Sequence, residues 1–237
     1  VSDRLRGRIG SIVVALATAV VIVAGSLLPF FNPVWIGFEQ RRAEALAWTG
    51  FSDAELSQAT NAIFADLVVG PPDFDVAIGG EPVLNERERG HMRDVRTVFL
   101  AFWVLSAASA IVLVVGWRRT RAAPDGAARY WRAIRRGASG LAVVVVAIGV
   151  LALVAFDALF ELFHTLFFPG GSYTFDPRTE RLVQLFPSRF WFETSLTAGA
   201  VIVLVCGAVA LFARRRRGAP AGSPERPVVL PLGGAGR

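Results

Sequence analysis

Residues 98–121 read VFLAFWVLSAASAIVLVVGWRRTR. From Val98 to Trp117 the chain carries no charge, and three of the next four residues are Arg. An uncharged run of about 20 residues, at 1.5 Å rise per helical residue, covers a hydrocarbon core of about 30 Å. The Arg cluster that stops it marks the cytoplasmic side, because short cytoplasmic loops are rich in Arg and Lys. This stretch therefore predicts a transmembrane helix with a known direction.

Three further runs match it: Ile9–Phe31, Ala138–Phe156 and Phe192–Ala213. The first is read as a retained span and not as a cleaved signal, because it is long and no A-x-A site follows. Arg4, Arg6 and Arg8 precede span one. Arg118 to Arg136 fill the connection between spans two and three, and Arg214–Arg217 follow span four. All three clusters fall on one side, so both termini are expected in the cytoplasm. Trp35, Trp117, Trp131 and Trp191 lie near span ends, as interfacial aromatics do.

Composition agrees. The 237 residues are 54% hydrophobic and 19% charged, with a mean hydropathy of +0.50. Soluble domains average about 25% charged residues. A disordered chain and an ordinary soluble enzyme are excluded. One Cys, Cys206, excludes an intrachain disulfide and a Cys-rich zinc site. The net charge of +6 would suggest nucleic acid in a soluble protein. Here the Arg residues are membrane-flanking, and no nucleic-acid partner is expected. The fold class is an all-α membrane protein: a single four-span domain over 1–217, with an extracytoplasmic cap from 32–97 and 161–191. The Gly- and Pro-rich tail 218–237 is expected to be disordered.

The cap has legible parts. Ser52 and Glu55 form a capping box, followed by Leu56, Ala59, Ile63 and Leu67 at helical spacing. Residues 73–82 are turn-rich and short. Asn85 with Glu88 at N3 starts a second helix that runs on into span two. Span three continues past Asp157 and Glu161 to Phe168, where Pro169-Gly170-Gly171 breaks it. Residues 172–191, rich in Phe, form a hairpin or an interfacial cap.

The chain has two His residues, and each lies on one of these protruding helix ends. His91 stands about 10 Å above Val98 and His164 about 12 Å above Phe156. The helices run in opposite directions, so both imidazoles reach one height, that of the lipid headgroups. Glu88 and Asp94 flank His91 at helical contact spacing. Asp157 and Glu161 share a face with His164. A carboxylate beside a His orients the ring and stabilises its cation, and two such pairs can supply an acid and a base. Arg93 and Arg96 are candidates for holding a substrate phosphate or carboxylate, or for anchoring the helix. Solvated, structural histidines are the plainer alternative.

Another reading uses the same residues. Glu88-Arg89-Gly90-His91 and Glu161-Leu162-Phe163-His164 are two E-x-x-H units, as in di-iron bundles, with Glu193 as a possible further ligand. No H-E-x-x-H zinc motif is present. Cys206 lies about 21 Å along helix four from its outer end, out of reach of the His pair. No G-x-S-x-G elbow exists. Ser172, Tyr173 and Thr165 are near in sequence, but nothing marks them as nucleophiles.

The block Leu84-Asn85-Glu86-Arg87-Glu88-Arg89-Gly90-His91-Met92-Arg93-Asp94-Val95 resembles the first signature of the lipoprotein intramolecular transacylase family. Phe163-His164-Thr165-Leu166-Phe167-Phe168, with Tyr173–Pro177 and Leu185-Phe186-Pro187, is similar to its second. The resemblance covers roughly residues 9–213. It departs at Pro169–Tyr173, where family members carry a polar, Trp-containing turn, and at Arg96, where they carry Lys. The resemblance implies a four-span bacterial cell-membrane protein acting on a diacylated lipoprotein N-terminus without metal or cofactor. It implies transfer of the sn-2 acyl chain of diacylglyceryl-Cys to the Cys α-amine, with membrane lipid as surroundings. His91 and His164 would be catalytic, one taking the amine proton while the other protonates the glyceryl oxygen or polarises the ester. Glu88, Asp94, Asp157 and Glu161 would support them. The competing functions are a non-catalytic envelope protein that binds lipid or protein, and an E-x-x-H metal-dependent oxidoreductase.

Overall fold

The computed structural model describes residues 2–168 and 170–217. The expected disordered tail 218–237 lies outside the described residues. Among the described residues four helices are long and apolar enough to cross a membrane. The first, α1 (Ser2–Leu27), ends in a 3₁₀ turn, Leu28–Phe30, opened by the missing N–H of Pro29.

Asn32 then caps α2 (Pro33–Arg42): its Oδ1 accepts from Val34 N at 2.9 Å and Trp35 N at 3.0 Å. A left-handed Glu44 (φ 61°) leads into the short α3 (Ala45–Thr49). The expected capping box opens α4 (Asp53–Val68), where Ser52 and Glu55 satisfy each other's amides. Leu56, Ala59 and Ile63 are buried on its inner face. The turn-rich segment holds two-residue strands β1 (Ala77–Ile78) and β2 (Glu81–Pro82), antiparallel across Gly79-Gly80. Both glycines have positive φ, 62° and 89°, which this tight hairpin requires.

Asn85 caps α5 (Glu86–Thr120), a continuous helix of 35 residues. Its length of about 52 Å exceeds the bilayer core by some 20 Å, so its first turns stand clear of the apolar run 98–117. The connection to α6 (Gly126–Phe167) is only five residues, 121–125. Thus α6 starts at Gly126, twelve residues before the apolar run, because the Arg-bearing segment 126–137 continues the helix. At the other end α6 is broken at Ala155 (φ −145°, ψ 39°), and the part that carries His164 is a separately angled helix. Gly171 (φ 70°) turns the chain back, α7 (Arg181–Leu185) follows, and α8 (Ser188–Arg217) returns through the bundle.

In the bundle α6 packs chiefly on α8 and α1, and α5 packs chiefly on α1. Ile22, Ala138, Ile202 and Cys206 form one buried layer. Val14, Tyr130, Ile134 and Ala213 form another, with Tyr130 OH donating to Leu113 O at 3.0 Å. Gly137 permits a close approach of α6 to α1: a Cβ there would lie 2.3 Å from Ala15 O. The outward faces stay apolar. In the most apolar window of α6 only 6% of residues are buried by protein, which suits a lipid-facing helix.

The cap has its own core of Leu56, Ile63, Phe74, Leu84, Met92 and Leu185. The Gln40 amide, 1% exposed, ties it together by donating to Thr60 Oγ1 at 2.9 Å and Leu185 O at 3.0 Å.

Candidate functional site

The cap end of α5 and the end of α6 beyond the Ala155 break bring His91 and His164 together. Their ring centroids are 6.1 Å apart, with the planes 27° from parallel. They are 5% and 9% exposed, so the pair is built into the protein and not set on its surface. Aromatic rings enclose it. Phe168 and Phe175 lie 4.9 and 5.5 Å from His91, and Phe160 and Tyr173 lie 4.1 and 5.0 Å from His164.

Each ring has one nitrogen committed. Nδ1 of His164 is 2.7 Å from Phe160 O, and a carbonyl can only accept, so Nδ1 carries the proton. Nδ1 of His91 faces Ser172 Oγ at 3.5 Å, and Ser172 Oγ donates to Asp94 Oδ2 at 3.1 Å. With its own hydrogen spent on Asp94, the hydroxyl accepts from His91 Nδ1–H. A chain His91–Ser172–Asp94 results, which orients the imidazole as a carboxylate does in hydrolase triads. In both rings Nε2 makes no hydrogen bond among the described residues. Burial, and secondarily the neighbouring His164, push His91 down to about 4, against the pull of Asp94 in the opposite direction. His91 is therefore neutral near pH 7, and its Nε2 holds a lone pair.

The other sequence-predicted residues are placed as follows. Glu88 is 1% exposed, but it does not reach His91. Its Oε2 accepts from Asn85 N at 2.8 Å and its Oε1 from Leu182 N at 2.6 Å, so it fastens α5 to α7. Glu161 Oε1 accepts from Tyr173 OH at 3.3 Å, and Tyr173 OH also meets Thr165 Oγ1 at 3.0 Å. Glu161 thus acts on the ring that covers His164 and not on the imidazole. Asp157 is exposed and makes no hydrogen bond or ion pair among the described residues. Arg93 pairs with Glu86 at 2.6 Å. Arg96 donates to Gly70 O at 2.7 Å and to Asp66 O, closing the C-terminus of α4.

Among the described residues no group of three His, Cys, Asp or Glu side chains is placed to hold a metal. The E-x-x-H arrangement needs both Glu side chains to turn toward their His partners, and both are engaged elsewhere. Glu193 instead pairs with Arg42 and Arg189, at 2.6 and 2.8 Å.

Ser172 is the site residue that spacing does not reveal, because its partner His91 lies 81 positions away. The Gly170-Gly171 turn beside it is its one local sign. Arg87 is a second. It pairs with Glu180, donates to Thr174 O at 2.7 Å, and lies 4.9 Å over the Phe175 ring that flanks His91.

Known proteins share this architecture. The integral-membrane lipoprotein intramolecular transacylase of Bacillus cereus superposes with a TM-score of 0.71 over 90% of this chain and 97% of that one, at 16% identity. A histidine-substituted variant of that protein gives 0.66 over 90% and 94%, also at 16% identity. These likenesses show the fold. An uncharacterized protein of Aquifex aeolicus is 26% identical over 134 residues, 56% of this chain and 57% of the relative, so the chain spans little more than half of that relative's length. The family model described as "Lipoprotein intramolecular transacylase Lit" matches residues 11–191. That match takes in three of the four long helices, the cap and both histidines, and with it the chain belongs to the lipoprotein intramolecular transacylase family.

Proposed function

We propose that the protein is an enzyme that moves the sn-2 acyl chain of a lipoprotein's diacylglyceryl-Cys to its own α-amine, giving the lyso-form lipoprotein. The observation that carries this reading is the buried imidazole pair, with each Nδ1 committed and each Nε2 without a hydrogen bond among the described residues.

The proton balance of the reaction suits that pair. The α-ammonium of the substrate has three N–H bonds. Attack on the ester carbonyl carbon forms a C–N bond and a tetrahedral oxyanion. Collapse breaks the bond to the glyceryl oxygen. One proton stays on the amide nitrogen, one ends on the glyceryl oxygen and one leaves to solvent. Two protons must therefore come off nitrogen, and two imidazole nitrogens stand ready to take them. His164 takes the first and frees the amine as nucleophile. His91 takes the second as the C–N bond forms and delivers it to the departing glyceryl oxygen. Asp94, acting through Ser172, steadies the transient His91 cation. The nucleophile belongs to the substrate, which agrees with the burial of Cys206 and with the commitment of the Ser172 hydrogen to Asp94. The aromatic enclosure keeps water away from an ester that must meet an amine.

The active face is extracytoplasmic, because Arg118, Arg119, Arg129 and Arg214–Arg216 cluster at the opposite end of the bundle. The partners are membrane lipid and the diacylated lipoprotein N-terminus.

The test is mass spectrometry of N-terminal lipopeptides from a host that makes only diacyl lipoproteins. Wild type is expected to shift one acyl chain to the α-amine. His91→Ala and His164→Ala, at normal abundance, are expected to leave the diacyl form. Unchanged lipopeptide with well-folded wild type refutes the reading.

A further inference from the structure

A concave feature lies away from the histidines. Where α2 meets the first turns of α8, Trp35, Phe38, Glu39, Arg42, Glu193, Leu196 and Thr197 line a cleft of ≈ 390 Å³. Helix α8 turns Trp191 and Phe192 toward Phe160 and Phe156 of α6, and turns Glu193, Leu196 and Thr197 toward α2. The cleft and the imidazole pair are therefore served by different faces of α8.

Glu39 is the unusual group. It is 3% exposed, and its Oε2 is buried with no hydrogen-bond partner among the described residues. A buried carboxylate oxygen without a donor costs several kcal/mol if it stays charged. The neighbouring cation does not resolve this. Arg42 Nε is 2.6 Å from Glu193 Oε2 but 4.0 Å from Glu39 Oε2. Arg189 Nε is also spent on Glu193, at 2.8 Å. Burial and the facing Glu193 together raise the Glu39 carboxyl above the ordinary carboxylate range. Two carboxylates face each other here, and no N–H group of the protein reaches Glu39 Oε2 within hydrogen-bond distance among the described residues.

The rim points to where such a group comes from. Val34 and Phe38 are 81% and 46% exposed, an apolar flank beside a polar cleft at the end of a lipid-facing bundle. Arg42 and Arg189 each use only Nε, so their terminal nitrogens make no hydrogen bond among the described residues. Guanidinium donors of this kind suit phosphate.

We propose that this cleft binds the headgroup of a glycerophospholipid with a primary ammonium, Glu39 and Glu193 accepting from the nitrogen and Arg42 flanking the phosphate. The site is separate from the acyl-transfer centre, and the proposal stands whether or not that reaction occurs. Trp35, whose Nε1–H donates to Thr194 Oγ1 at 3.4 Å, forms the wall.

The full chain in phosphatidylcholine nanodiscs is titrated with phosphatidylethanolamine, phosphatidylglycerol or a synthetic S-diacylglyceryl-cysteine peptide of equal acyl length. Native mass spectrometry counts what is retained. Phosphatidylethanolamine is expected to be retained about tenfold over phosphatidylcholine, whose trimethylated nitrogen has charge but no N–H, and over phosphatidylglycerol. Glu39→Gln, which keeps shape and removes charge, is expected to abolish that preference. Equal retention of the three phospholipids by wild type overturns the proposal without recourse to any variant. So does a preference that survives Glu39→Gln, and so does selective retention of the lipopeptide in place of the phospholipid.

Discussion

The burial of His91 has a measurable cost in acid. An exposed imidazole titrates at 6.5, while that of His91 is held at about 4, chiefly by burial. A folded-state value below the unfolded one means that the unfolded chain binds the proton more readily. The stability involved is fully present above pH 6.5 and is lost as pH falls toward 4. Each pH unit inside that window costs about 1.4 kcal/mol, so the loss is about 2 kcal/mol at pH 5 and about 3 kcal/mol once pH reaches 4. For a chain of this size, about 2 kcal/mol is about 4–8 °C in Tm. The assay is thermal unfolding of wild type and His91→Phe in one detergent between pH 7.5 and 4.5. Phe keeps a ring among Phe168 and Phe175, and carboxylates elsewhere titrate alike in both proteins. The wild-type Tm is expected to fall faster than that of the variant, the gap opening below pH 6.5. Parallel curves would show that His91 protonates freely in the folded protein and would refute the buried neutral imidazole.

Other substitutions separate chemistry from architecture. Ser172→Ala cuts the link from Asp94 to His91, and is expected to lower kcat for the lipopeptide about tenfold or more at unchanged Tm, with Ser172→Thr restoring part of it. Gly137→Ala puts a Cβ 2.3 Å from Ala15 O, and is expected to cost about 1–3 kcal/mol, read as a lower Tm. Arg96→Ala frees two carbonyls at the end of α4 and is expected to cost about 1.5–3 kcal/mol. Arg93→Ala breaks only a half-exposed pair with Glu86 and is expected to cost under about 1 kcal/mol, both measured by denaturant or thermal unfolding.

The spans and the capped starts of α4 and α5 were legible because each rests on short-range information. A run such as 98–117 needs no partner to declare itself, and Ser52 and Asn85 cap helices through residues three positions away. Glu88 shows where such reasoning stops. Asn85 and His91 both lie three residues from it, and either spacing is sound. One carboxylate cannot serve both, and the Leu182 amide, 94 residues away, takes the second oxygen. The start of α6 at Gly126 escaped hydropathy because an Arg-bearing turn beyond the membrane remains good helix. The break at Ala155 has neither Gly nor Pro to announce it. Ser172 was near in sequence to His164 but is bonded to the partner of His91, a contact only the folded cap creates.

The cap also explains how two helices that pack chiefly on other neighbours come to share one site. Helix α5 leans on α1, and α6 leans on α8, so bundle packing alone does not set the 6.1 Å between the rings. The segment that follows His164 does. It leaves α6, places Ser172 against Asp94, and places Glu180 against Arg87. It then presents Leu182 N to Glu88 and buries Leu185 in the cap core. Every one of these bonds runs from residues 172–185 to the first turns of α5. The stretch connecting α6 to α8 is thus the clamp that holds His164 to His91. The polar residues around the imidazoles divide accordingly: Glu88, Arg87 and Glu180 set the distance between the rings, while Asp94 and Ser172 set the state of one of them.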